Sequence, residues 1–255
     1  MKNAIITGGT SGIGLGIARL FAANGYNLLL NGLEQNGPQL AEELAQEYQV
    51  QVLHSPANLQ HPAQIREMVQ RAEQALGSVD VLINNAGIQY VAPVEEFPEE
   101  RWDAIIAINM SATFHASQAV WSGMKARGFG RIINIASAHA LRASEFKVAY
   151  VAAKHGVAGI TKVLALEGAP YGITCNAICP GYVRTPLVEA QIADQARAHQ
   201  LSEAEVIEKV MLKKQAVKQF VDVQALGQLA LYLASEPASQ LTGAMLPVDG
   251  GWTAQ

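Results

Sequence analysis

Tyr150 and Lys154 stand four apart in Ala149-Tyr150-Val151-Ala152-Ala153-Lys154-His155-Gly156. The surrounding pattern is helical, so the two side chains share one helix face. A phenol titrates near ~10 and is a poor base at neutral pH. A nearby ammonium favours the phenolate, and the pair could then accept or return the proton of an alcohol. Alone, a Tyr-x-x-x-Lys spacing more often marks two exposed helix residues. Three further features favour chemistry: Asn84-Asn85-Ala86-Gly87 after a candidate strand, Asn109 in a helical stretch, and Ser137 ending another strand.

A second constellation opens the chain. Thr7-Gly8-Gly9-Thr10-Ser11-Gly12-Ile13-Gly14 follows a short apolar strand and leads into a helix with Ile13, Ile17, Leu20 and Phe21 on one side. Glycines at 8, 12 and 14 would permit a tight turn, a close backbone approach to a pyrophosphate and close helix–strand packing. The free N–H groups of the helix would then face the anion. The position of the usual ribose-binding acid reads Asn31-Gly32-Leu33-Glu34. The acid is missing or displaced, and no Arg or Lys waits there for a 2′-phosphate. NAD is therefore expected rather than NADP, with Asn31 or the Gly32 backbone serving the ribose and Glu34 solvated. The positive charge of an oxidised nicotinamide would further favour the Tyr150 phenolate.

The elements that must position these groups alternate along the chain. Apolar runs at 2–7, 26–31, 50–54, 79–84, 130–136, 172–178 and 244–248 read as strands buried on both faces. Amphipathic stretches at 12–24, 38–48, 61–76, 99–126, 148–168 and 222–235 read as helices. Repeated βαβ units with right-handed crossovers predict an α/β fold with a parallel sheet and helices on both faces. No repeat or Pro/Gly/Ser-rich linker divides residues 1–255, so one domain is expected. Residues 183–221 break the rhythm, with two predicted short helices (Thr185–Ala196 and Ser202–Lys213) and no strand. Above the carboxyl ends of the strands such an insertion would serve as a substrate lid.

The bulk properties exclude several classes. The 255 residues are 50% hydrophobic and 16% charged, too apolar for a disordered chain. A net charge of −4 leaves no basic excess for nucleic acid. No apolar run approaches the ~20 residues of a membrane span. Nothing at the N-terminus resembles a signal peptide, so a cytoplasmic location is expected. Cys175 and Cys179, four apart in a predicted strand, would lie ~13 Å apart, too far for a disulfide. They read as buried apolar residues, and no metal site is expected.

Together these motifs resemble the short-chain dehydrogenase/reductase family, over the whole chain from Thr7 to Gly250-Gly251. The resemblance implies a Rossmann-type, doubly wound, seven-stranded parallel sheet, in a homotetramer built from helix contacts. It implies Asn109, Ser137, Tyr150 and Lys154 as the active site. Tyr150 is the general acid/base, and Lys154 lowers its pKa and holds the nicotinamide ribose. Ser137 steadies the reacting oxygen, and Asn109 holds a water that links Lys154 to solvent. Asn85, Ala86 and Gly87 would line the cofactor. Pro180, Gly181, Val183 and Thr185 would cover the nicotinamide, and Asn58-Leu59 would meet the adenine, with Asn58 replacing a frequent Asp.

The substrate must be read from polar residues near the site, because the fold does not choose it. Gln89, His139, Lys147 and Gln191 can all donate hydrogen bonds, where a pocket for a steroid or long acyl chain would be apolar. Beside an oxidation centre they suggest a small anion, most simply a carboxylate. Local stretches such as Ile135-Ala136-Ser137-Ala138-His139 and Val183-Arg184-Thr185-Pro186-Leu187-Val188-Glu189 resemble members of the family that oxidise (R)-3-hydroxybutyrate to acetoacetate with NAD. That resemblance places the four donors on the substrate carboxylate and brings Trp252 to the pocket, from the same or another subunit. It also departs from the pattern at Tyr182, where Trp is common, which would adjust the hydroxy acid preferred. The rivals are an enzyme of the same family acting on another hydroxy acid, an acyl-carrier-protein reductase or sugar dehydrogenase, and a cofactor-binding scaffold without chemistry.

Overall fold

A computed structural model describes residues 2–186, 188–189, 192, 196 and 200–254. Seven strands form one sheet: β1 (Asn3–Ile6), β2 (Asn27–Asn31), β3 (Val52–Ser55), β4 (Val81–Asn84), β5 (Gly130–Ile135), β6 (Ile173–Pro180) and β7 (Met245–Val248). Their spatial order is β3-β2-β1-β4-β5-β6-β7, and every pairing is parallel. The order reverses between β1 and β4, and the crevice beyond the carboxyl ends of such strands is where ligands bind in this architecture.

The helices whose bounds are described include α1 (Gly12–Ala23), α2 (Gly37–Tyr48), α3 (Pro62–Leu76), α4 (Glu99–Ile106), α5 (Ala112–Arg127), α6 (Val148–Gly168), the short α7 (Glu203–Val206) and α8 (Val223–Ala234). Alternating strand residues feed two apolar layers. Ala4 and Ile6 of β1 pack with Ile17, Phe21, Leu226 and Leu233 of α1 and α8. Ile5 points the other way, onto the layer that holds Ile65, Met68, Val120 and Met124 of α3 and α5. Helices on both faces explain why the central strands read as continuous apolar runs.

The predicted helix 99–126 is interrupted. Residues Ala107–Ser111 form a π-helical turn between α4 and α5, a feature that often accompanies functional sites. It turns the Asn109 side chain toward the loop after β4.

The two ends of the 183–221 stretch meet at one place. Val183 forms an isolated parallel bridge with Val221, and the Val221 N–H donates to the Tyr182 carbonyl at 2.8 Å. Among the described residues of this stretch, Val188, Ile192, Val206 and Met211 share a small core of their own. Cys175 and Cys179 are free and buried. No helix among the described residues is long and apolar enough to cross a membrane.

Candidate active site

A cavity of about 430 Å³ runs across the carboxyl ends of the strands, from the glycine-rich turn to the start of α6. Gly8, Ser11, Gly12 and Ile13 line its first end. Gly14 lies just behind: a Cβ there would meet the Gly8 carbonyl at 2.1 Å, so only glycine lets α1 pack so closely. Ser11 caps α1 without a side-chain bond to its first turn. The turn is braced from β4. The Asn85 amide donates to the Thr7 and Gly8 carbonyls, each at 3.0 Å, while Thr7 Oγ1 accepts from the Asn85 and Ala86 N–H groups. Asn85, Ala86 and Gly87 line the cavity.

The side chains at this end are largely bonded within the protein. Glu34 is exposed, as expected, but it also lines the cavity and accepts hydrogen bonds from Thr10 Oγ1 and Ser11 Oγ. Burial opposes its ionisation, yet the bonds from Thr10, its own backbone and Ser11, with the His54 ring nearby, hold its carboxyl below the usual range. Thr10 itself does not line the cavity; its hydroxyl is spent on Glu34. Asn31 reaches the cavity wall, but its carboxamide is occupied with the Ser55 and Ala57 carbonyls and with the Gly8 N–H. It stitches β2, β3 and the glycine turn together rather than offering a free group to a ribose. Asn58 and Leu59 are in the wall, with Asn58 Oδ1 accepting from the Gln60 N–H.

The other end gathers Ser137, His139, Lys147, Tyr150 and Lys154. β5 delivers Ser137, whose Oγ accepts from the His139 N–H at 3.1 Å and lies 3.3 Å from His139 Nδ1. The first turns of α6 deliver Tyr150 and Lys154. The Lys154 ammonium donates to the Ile135 carbonyl at 2.9 Å and sits 5.6 Å from the Tyr150 ring centre. Burial pulls its pKa down to about 8. Burial also pushes the Tyr150 phenol up, against the Ser137 hydrogen bond and with the Tyr182 phenol adding to the rise. Asn109 does not line the cavity. Its carboxamide pairs with both backbone groups of Ile88 at 2.9 Å.

The expected anion donors meet here. Lys147 is buried, and its ammonium donates to the Tyr182 hydroxyl at 3.3 Å. Gln89 Nε2 and His139 Nε2 are buried without a partner. Burial, then Lys147, Lys214 and His155, hold the His139 pKa down to about 3, so its ring is neutral. Tyr182 stacks on Trp252 at 5.9 Å, and His139 meets the same indole edge-on at 5.0 Å. Trp252 thus reaches the cavity within its own chain. Pro180, Gly181, Val183 and Thr185 line the wall between the two ends. Gln191 lies outside the described residues. Gln215 was not anticipated: it is buried, and its Oε1 accepts from the Tyr182 N–H at 3.1 Å. No local pattern announces it, because its partner is 33 residues away.

The short chain dehydrogenase family matches residues 2–196. The chain belongs to that family. A D-beta-hydroxybutyrate dehydrogenase of Rhizobium meliloti is 52% identical, over 100% of this chain and 99% of the relative. One from Cupriavidus necator is 48% identical over 100% and 98%. Among solved structures, levodione reductase aligns with a TM-score of 0.92 at 31% identity, covering 99% of this chain and 98% of its own. An actinorhodin polyketide ketoreductase solved with NADPH aligns at 0.94 and 32%, over 100% and 98%. As a short-chain dehydrogenase the chain is an oxidoreductase, and family and fold together imply a nicotinamide dinucleotide. The first end of the cavity fits one: the glycine turn approaches without side chains, and α1 offers an N-terminus that no side chain caps.

Proposed function

We propose that the chain interconverts (R)-3-hydroxybutyrate and acetoacetate with NAD, Tyr150 acting as general acid/base. The observation that carries this reading is the pair of buried, unpartnered donors, Gln89 Nε2 and His139 Nε2, beside Lys147 in the cavity that holds Ser137 and Tyr150. Buried polar atoms without partners are rare, and a carboxylate would satisfy both. The relatives named for this reaction support the same substrate.

The nicotinamide, when bound, supplies the acceptor for a hydride. The chain's own residues do the rest. Lys147, His139, Gln89 and Gln191 hold the carboxylate, which sets the substrate hydroxyl between Ser137 and Tyr150. Tyr150 takes the hydroxyl proton in oxidation and returns it in reduction, while the Ser137 hydroxyl steadies charge on that oxygen. Lys154, charged at neutral pH, favours the ionised phenol and holds the cofactor ribose. Asn109 fixes the Ile88 peptide and thereby the neighbouring Gln89. The Glu34 carboxylate, at the cavity wall, favours a ribose hydroxyl over a 2′-phosphate, hence NAD. The segment 183–221 is the lid over the substrate, hinged where Val183 meets Val221. Exposed Phe114 on α5 and Val163 and Leu166 on α6 are the faces through which a homotetramer would form.

The test is an absorbance assay of reduced nicotinamide with a panel of hydroxy acids and both cofactors. Turnover of (R)-3-hydroxybutyrate with NAD, exceeding that with NADP or with neutral alcohols, is expected. Equal rates on an uncharged alcohol would overturn the anion anchor.

A further inference from the structure

We infer that Asp249 is a positioning residue for the anion-binding end of the cavity, although it touches neither substrate nor cofactor. The inference rests on the proposed carboxylate site. Asp249 is buried at the end of β7, 5% exposed, and among the described residues its carboxylate bonds to the chain's own tail. Oδ1 accepts from the Gly251 N–H at 3.0 Å. Oδ2 accepts from the Thr253 N–H at 2.9 Å and the Thr253 hydroxyl at 2.6 Å. The Asp249 carbonyl accepts from the Trp252 N–H at 3.2 Å. Gly250 and Gly251 both have positive φ, so the chain doubles back around the carboxylate. The Gly250 carbonyl in turn accepts from the N–H groups of Ala216 and Val217, at the root of the 183–221 segment.

This tight turn has one large product: it drives the Trp252 indole into the cavity wall, where it is 6% exposed. There the indole contacts one anchoring group, His139, and the hydrogen-bond partner of another, Lys147. His139, with its unpartnered Nε2, packs edge-on to it, and Tyr182, which receives a hydrogen bond from Lys147, stacks on it. A continuous set of contacts therefore runs from Asp249 through Trp252 to His139 and to Lys147. The carboxylate serves here as a bracket: three donors converge on it, and losing it frees the turn that presents the indole. Loss of orientation at His139 and Lys147 weakens an anionic ligand and leaves the Ser137–Tyr150 chemistry in place.

The experiment compares Asp249→Ala and the milder Asp249→Asn with the full-length parent. Acetoacetate is the acid substrate and methyl acetoacetate its uncharged counterpart. For Asp249→Ala the KM for acetoacetate should rise about tenfold, the scale of one hydrogen bond to a charged group. Asp249→Asn should give a smaller rise. In both, kcat at saturation, the KM for the ester and NADH binding should stay near parent values. Acrylamide quenching of Trp252, taken as the difference from a Trp252→Phe control, should rise in the same order. A general loss of packing would instead lower kcat and raise both KM values together. A parent inactive on any 3-oxo acid would defeat the carboxylate site itself. An active parent, with Asp249→Ala leaving the acetoacetate KM unchanged or Trp252 still shielded, would defeat this inference alone.

Discussion

The two ends of the cavity are built on opposite rules. At the glycine-turn end almost every side-chain hydrogen bond is spent within the protein: Thr10 and Ser11 on Glu34, Asn85 on the turn carbonyls, Asn31 on three neighbouring peptides. At the α6 end, among the described residues, Gln89 and His139 keep buried atoms unpaired and the Lys147 ammonium has one weak phenol partner. The first end presents backbone and is rigid before any ligand arrives. The second carries an unmet demand for hydrogen bonds that a ligand can fill. The contrast is the one expected between a site for a common cofactor and a site that selects one substrate: leaving polar groups unsatisfied without the right partner is how rejection of the wrong one is achieved.

The largest test of this contrast removes the chemistry and leaves both binding ends whole. Tyr150→Phe should lower kcat by about 10²–10⁴-fold, the usual range for a general acid/base. NADH binding, followed by fluorescence, should be unchanged, since the cofactor end does not use the phenol hydroxyl for its own bracing. A variant that keeps most of its rate would remove Tyr150 from the proton path.

Next in size is the anchor. Lys147→Ala should raise the KM for (R)-3-hydroxybutyrate by about 10–100-fold, as for a lost charged hydrogen bond of about 1.5–3 kcal/mol. A neutral alcohol should be nearly unaffected. If both substrates lose equally in steady-state kinetics, the demand at this end is not for a carboxylate.

The unpaired imidazole should also show in stability. His139 has a pKa of about 3 in the folded chain, against an ordinary 6.5. Between those values the unfolded chain binds one more proton, so stability rises with pH there and is lost as the pH falls. The loss should approach ~1.4 kcal/mol per pH unit from this residue. Denaturant unfolding of His139→Gln at several pH values should show that part of the slope gone. An unchanged slope would mean that the ring is not held neutral.

Much of this architecture was legible because it is local. The apolar runs and helical spacings located all seven strands, and the Tyr150–Lys154 pair and glycine turn needed only neighbours in the chain. The π turn at Ala107–Ser111 was hidden inside an unbroken helical pattern, since apolar periodicity does not report a single extra residue. The side-chain partners of Thr10, Asn31 and Asn109 were not legible in the sequence. Their partners are Glu34, the Ser55 and Ala57 carbonyls, and Ile88, all more than twenty residues away. Such pairings depend on register between strands and on loop paths that spacing alone does not encode. Asp249 and Gln215 escaped for the same reason.

Glu34 offers the smallest and sharpest test, because it is the one residue at the rigid end whose charge faces the cavity. Thr10 and Ser11 hold its carboxylate, and those bonds favour the ionised form. A fixed negative charge there repels a 2′-phosphate while costing NAD nothing, which is specificity by exclusion. Glu34→Gln keeps the shape, accepting from one hydroxyl through its carbonyl oxygen and donating to the other hydroxyl oxygen through its NH2, so folding should be preserved. The ratio of kcat/KM for NAD to that for NADP should fall about fivefold, an effect near 1 kcal/mol, mostly through a lower KM for NADP. A fall in NAD affinity with no gain for NADP would make Glu34 a structural clasp on the glycine turn. An unchanged ratio would place the cofactor choice elsewhere in the wall, in the Gly32–Leu33 backbone or at Asn58.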